Sequence, residues 1–323
     1  MNKEEILKLR ETMGTLPTQN PSLDTKFYTG VEGIKAELIT ATENPYKAMY
    51  VMATSCWGKK INKWNETSPE GRFLVIKAVL ERQTLPLPLE APQFTFAVEG
   101  LSRSSFDQLA RSRIGFVFSA RGVRDNNWKD VGIRIPNGIA KNVELQAEFI
   151  SVALRVKEFY AELVETGKCN WQVARAILPL SIYYQFSFSA NYMALFGFMN
   201  NRLKFCEQED SCGASWAIRE EIKKKFPLLG NYLRPGCDYS NKCQYYKTYG
   251  LSSMFGCLFK SCGRHPTDLQ QGQEEYCEFN ESCSDAKTIE EQLGFHIPRP
   301  NEYKVYESIE DLDDKDKERF YAK

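Results

Sequence analysis

The chain has 323 residues, 42% of them hydrophobic and 26% charged, a globular balance with length for one large or two modest domains. Lysine plus arginine equals aspartate plus glutamate at 42 each, so no overall basic field exists to hold a nucleic-acid duplex. No apolar run approaches the ~18 residues of a spanning helix, and the opening MNKEEILKLRETMG lacks a signal-peptide stretch, so a cytoplasmic, membrane-free protein is expected.

Residues 3–13 carry helical apolar spacing at Ile6, Leu7 and Leu9, followed by a loop to about residue 24. Pro45 to Trp57 reads as buried. Ser68-Pro69-Glu70 predicts a helix start, with serine as cap and proline in the first position, running through FLVIKAVLER. Gln93 to Val98 alternates as a strand, residues 103–112 return to helix, and Ile114 to Phe118 is extended. A long helix spans 143–166 and ends at Gly167, and a second occupies about 170–177 before Pro179. Leu180 to Ser189 is β-prone, with Ser189 as the cap of a helix over 190–204. A further helix covers about 214–226 and stops before Pro227. Beyond about residue 235 Cys, Tyr, Asn and Ser become frequent and periodicity fades. The closing run SIEDLDDKDKERF reads as a solvated helix or frayed tail. This order predicts a mixed α/β (α+β) core over 1–235 and a cysteine-rich extension over 236–323.

Only two histidines exist, His265 and His296, and both read as loop residues. A three-histidine metal site is therefore impossible within one chain. Chemistry must rest on arginines, amides, hydroxyls or a bound cofactor.

Three polar constellations stand out. Gln108-Leu-Ala-Arg111-Ser112-Arg113-Ile-Gly115 places two arginines around a serine at a helix end. Arginine is a planar permanent cation suited to phosphate and carboxylate, although such pairs also serve as caps. Arg175-Ala-Ile-Leu178-Pro179 sets an arginine before a proline break, where an anionic ligand or an acidic side chain would answer it. Asn191 and Arg202 share a helix face, about 16 Å apart by helix rise, with Leu195 and Phe198 between them as core.

In this order and spacing, the constellations make the chain resemble the flavin-dependent thymidylate synthase family. That family carries an Arg-His-Arg triplet preceded by glutamine, a segment ending in Ser-x-Arg, then Arg-x-x-Leu-Pro, an Asn-x-Arg helix, and Ala-Gln-Trp-Glu-Ile-Arg. Here Gln108, Arg111-Ser112-Arg113, Arg175 to Pro179, Asn191 to Arg202, and Ala214-Ser-Trp216-Ala-Ile218-Arg219 match, and Phe94-Thr95-Phe96 matches the preceding strand. The resemblance covers roughly residues 40–230. It implies an α/β subunit of a homotetramer that binds FAD, a pyrimidine nucleotide and methylenetetrahydrofolate. It assigns Gln108, Arg175, Arg202 and Arg121 to the nucleotide, and Ser55, Arg111, Ser112, Arg113 and Asn191 to the flavin. Arg202 and Ser119 are the catalytic candidates.

The departures are specific. The triplet histidine is Ser112, the segment FVFSARGVRD lacks a glutamate, and Ser119-Ala-Arg121 fits Ser-x-Arg only with a two-residue deletion. Two flavin-facing polar positions are Met193 and Gly197. Nucleotide-side residues survive better than flavin-side ones. The leading expectation is FAD-dependent methylation of dUMP to dTMP. The alternatives are 5-hydroxymethylation of dUMP or dCMP, and a degenerate, non-catalytic member of the family.

Eight of the ten cysteines pair by spacing: Cys206 with Cys212, Cys237 with Cys243, Cys257 with Cys262, and Cys277 with Cys283. Four pairs suffice for two four-thiolate sites, for zinc or an iron–sulfur cluster. Disulfides and buried thiols are the other readings. Cys56 and Cys169 read as core.

Overall fold

Local sequence chemistry sets each element. The computed structural model describes residues 25–55, 62–204, 207–240, 286–298 and 302–322. In chain order the main elements are β1 (Phe27–Thr29), β2 (Lys35–Ala41), α1 (Pro45–Thr54), α2 (Pro69–Leu80), β3 (Gln93–Ser102), α3 (Arg103–Leu109), β4 (Phe116–Ala120) and β5 (Ile133–Ile135). After them come α4 (Val143–Glu165), β6 (Tyr183–Asn191), α5 (Tyr192–Arg202), α6 (Glu209–Lys225), α7 (Pro227–Tyr232), α8 (Ala286–Leu293) and α9 (Asp314–Tyr321). Ser68 caps α2 through Gly71 N at 3.1 Å, with Pro69 in the first turn, as the sequence predicts. Gly167, at φ +66°, follows the end of α4 in the left-handed conformation that glycine tolerates.

The main sheet runs β2-β3-β6-β4, antiparallel throughout, and β1 pairs with β5 in parallel. Strand alternation gives it two unlike faces. Phe94, Phe96, Val98, Phe186, Phe188 and Ala190 are buried on one face. Helix α6 covers β2 and β3, contributing the buried Trp216, Ile218 and Ile222. The other face carries Thr95, Ser187, Ser189 and Ser119, with Thr95 and Ser189 hydroxyls 2.8 Å apart. The expected mixed α/β architecture is therefore present. Among the described residues no helix is long and apolar enough to cross a membrane.

Three local expectations change. Ser189 pairs inside the sheet, opposite Thr95 and Val117, and the cap is Asn191, whose side chain accepts from Ala194 N at 2.8 Å. Helix α6 begins at Glu209 rather than near 214: its first two turns, EDSCGAS, are polar in sequence yet buried against the core. The closing charge run docks instead of fraying. Phe320 is fully buried, 4.7 Å from the Tyr46 ring, and the buried Asp316 accepts from Tyr46 Oη and, at 2.6 Å, from Leu228 N. One aromatic ring and one doubly bonded carboxylate anchor a helix that its exposed charges disguise. The predicted helix over 3–13 and most of the cysteine-rich stretch, including His265, lie outside the described residues.

Candidate functional site

The site is built where three helix ends meet. Helix α3 starts at Ser102, whose N–H donates to Asp210 Oδ2 at 2.8 Å, while Ser105 Oγ donates to Oδ1. Asp210 in the first turn of α6 thus fixes the start of α3. Next to it, Glu209 Oε1 accepts from Asn137 N at 2.7 Å. Burial pushes the Glu209 carboxyl up to about 7, against the pull of that N–H. The far end of α3 then meets the end of α5.

Gln108 and Arg202, 94 residues apart, touch there: Arg202 Nη2 donates to the Gln108 carbonyl at 3.2 Å. Arg202 Nη1 pairs with Glu207. The Gln108 side-chain amide donates to Gln208 Oε1 at 2.9 Å, and the Gln208 amide donates to Ser104 Oγ at 3.1 Å. The spacing argument names Gln108 and Arg202 but misses Glu207 and Gln208. Nothing in the local pattern marks those two except their place between Cys206 and Cys212.

The other end of α5 is more open. Asn191 spends its side-chain oxygen on the cap, and its N–H donates to the Gly115 carbonyl at 3.3 Å. Gly115 has φ +74°, and a Cβ there would lie 2.7 Å from the Ala194 Cβ. Only glycine allows the turn to approach α5 this closely. The turn carries Arg111 and Arg113, both exposed and without side-chain hydrogen bonds or ion pairs among the described residues, and the half-buried Ser112. Met193 is half-buried, and Gly197 is exposed with open space around it. Leu195 and Phe198 are core, as expected.

The remaining predicted residues are dispersed around these two ends. Arg175 is exposed on the single turn Arg175–Ile177; the chain beyond it returns to α3, where Ser104 N donates to Leu180 O at 3.1 Å. Ser119 is exposed on β4, opposite Ser187. The Arg121 guanidinium lies 4.5 Å over the Trp128 ring and donates to Asn127 O at 3.4 Å, and burial lowers its pKa. Among the described residues neither Ser119 nor Arg121 hydrogen-bonds Gln108 or Arg202. Ser55 closes α1, its hydroxyl donating to Val51 O at 2.5 Å.

The metal expectation finds no support. Cys212 is fully buried in the hydrophobic core beneath α6, where a thiol packs as a small apolar group. Cys206, Cys243, Cys257, Cys262, Cys277 and Cys283, with the side chain of Cys237, lie outside the described residues. Among the described residues no group of three or more His, Cys, Asp or Glu is disposed to hold a metal ion. His296, exposed, pairs at 2.8 Å with Glu290 and with Glu302.

The family model described as thymidylate synthase complementing protein matches residues 37–228. A flavin-dependent thymidylate synthase of Clostridium tetani is 25% identical over 241 residues, covering 65% of this chain and 90% of the relative. Another, of Thermococcus kodakarensis, is 30% identical over 209 residues, covering 61% and 81%. The solved structure of Helicobacter pylori thymidylate synthase X, with FAD and dUMP, superposes with a TM-score of 0.50 at 15% identity, covering 62% of this chain and 98% of that one. At that identity the superposition speaks for the fold alone. The matched span takes in β3, the Arg111–Arg113 turn, Arg175, α5 and α6, so the chain belongs to the thymidylate synthase complementing protein family.

Proposed function

We propose that the chain methylates C5 of a pyrimidine deoxynucleotide, converting dUMP to dTMP with a one-carbon unit from methylenetetrahydrofolate and with FAD as cofactor. The observation that carries this reading is the contact between Gln108 and Arg202. These two residues, matched by resemblance to the family's nucleotide positions, meet although 94 residues separate them. Arg202 and Arg175 supply permanent cations for the anionic nucleotide, and Gln108 an amide for a polar edge.

The donor set at the other end of α5 fits a flavin dinucleotide. Arg111 and Arg113 are exposed cations for a pyrophosphate, beside the Asn191 amide and the N-terminus of an 11-residue helix. Ser112 lies between them, and Ser55 is the separate hydroxyl matched to a flavin phosphate. When bound, the flavin supplies the hydride that completes the methyl group. The chain itself binds and orients. Ser119 is a catalytic candidate by resemblance, together with Arg202.

A homotetramer belongs to the same reading. Ile114 is 95% exposed beside the arginines, and Val117 is exposed on the adjoining strand β4, apolar residues that a second copy would cover. The division at about residue 235 stays part of the proposal. The named relatives are thymidylate synthases, which favours methylation over hydroxymethylation or a non-catalytic role. Calorimetric titration of dUMP into the Arg175→Ala and Arg202→Ala variants tests the assignment. Each should bind about 1.5–3 kcal/mol more weakly. Unchanged binding in both would remove it.

A further inference from the structure

Arg202 already holds an anion supplied by the chain. Its Nη1 pairs with the Glu207 carboxylate, and the two side chains are only 20% and 13% exposed, so the pair is poorly screened by solvent. The next residue does the equivalent at the neighbouring amide, where Gln208 Oε1 accepts from the Gln108 side chain at 2.9 Å. Four consecutive residues divide their work. Glu209 and Asp210 bind the scaffold, through Asn137 N and through Ser102 and Ser105. Glu207 and Gln208 instead address the two groups assigned to the nucleotide.

A carboxylate on a guanidinium presents the same paired oxygens as a phosphate. A phosphate dianion approaching Arg202 with Glu207 in place meets a like charge in a partly dehydrated setting. We propose that Glu207 is a built-in competitor for the nucleotide: it pairs with Arg202 until the anionic nucleotide replaces it, and Gln208 yields Gln108 in the same exchange. The inference rests on the reading that Arg202 and Gln108 bind the nucleotide. Its consequence is quantitative. Apparent nucleotide affinity is reduced by the fraction of molecules in which Arg202 is held by Glu207. In exchange, the half-buried guanidinium is never left without a counter-charge.

The test is calorimetric titration of dUMP into the full-length chain, wild type against Glu207→Gln and Arg202→Ala, with a thermal melt of each. Glu207→Gln should bind dUMP about tenfold more tightly, because the competing charge is gone while the shape is kept. Arg202→Ala should bind at least about tenfold more weakly. If Arg202→Ala weakens binding while Glu207→Gln leaves it unchanged or weaker, Glu207 positions Arg202 rather than competing, and the inference is overturned with the nucleotide site intact. If Arg202→Ala binds normally, the nucleotide assignment fails and the inference falls with it. Should Glu207→Gln not fold, Glu207→Asp, which draws the carboxylate back by one methylene, must shift affinity in the same direction.

Discussion

The two ends of α5 face the same putting-together of helix and anion chemistry in opposite ways. At its C-terminal end Arg202 is engaged on two sides, by Glu207 and by the Gln108 carbonyl, and the surrounding amides and hydroxyls are linked to one another. At its N-terminal end Arg111 and Arg113 stand exposed on a turn whose Gly115 carbonyl accepts from Asn191 N, with no side-chain bond of their own among the described residues. The first end is a finished network whose occupant must compete with the protein. The second is an open set of donors that a ligand would complete. Two of the sequence departures, Ser112 and Met193, fall at the open end; Gly197 lies midway along α5 with open space around it, and the others lie on and just after β4.

The contrast makes graded predictions. Arg202→Ala should cost the most, about 2–3 kcal/mol of folding stability, since it strands the largely buried Glu207 carboxylate. Urea unfolding at neutral pH reads this, and a loss below about 0.5 kcal/mol would show that the pair is only a surface contact.

Glu209 tests the same end by pH. Its folded-state pKa is raised from 4.5 to about 7, so its stabilising contribution is full below 4.5 and is lost as pH rises through 7. Glu209→Gln should flatten the decline in stability between those limits, by on the order of 3 kcal/mol. Parallel pH profiles for variant and wild type would place the titrating group elsewhere.

At the open end the effects shrink. Asn191→Ala removes one helix cap and should cost about 1 kcal/mol. Arg113→Ala should leave folding stability nearly unchanged, within about 0.5 kcal/mol, while weakening FAD binding followed by flavin fluorescence. A large stability loss from Arg113→Ala would erase the distinction between the two ends.

Much of this was legible in the chain. Strand β3 is legible in the alternation of QFTFAV and α2 in Ser68 and Pro69, whereas the sequence reading predicts no strand at β1, β2 or β5. The family resemblance assigns Gln108 and Arg202 to one ligand, and the two are in contact in the fold. The failures have physical causes. Ser189 and Asn191 are both good caps, and only the pairing of Ser189 with Thr95 excludes it. The first turn of α6 buries Asp210, Ser211 and Cys212, so it lacks the apolar rhythm that marks a helix start. In the closing run the anchors Asp316 and Phe320 are four residues apart on one face, a pattern hidden by the charges between and around them. Glu207 and Gln208 carry no local signature, because their role depends on which helix ends the fold brings beside them.

The most direct test of the whole account is the identity of the product. The full-length chain, given FAD, a chemical reductant, methylenetetrahydrofolate and dUMP, should yield a pyrimidine nucleotide heavier by one CH2 group, read by mass spectrometry and lost when FAD is omitted. A hydroxymethylated nucleotide, or unchanged dUMP from a folded protein that binds both ligands, would contradict it.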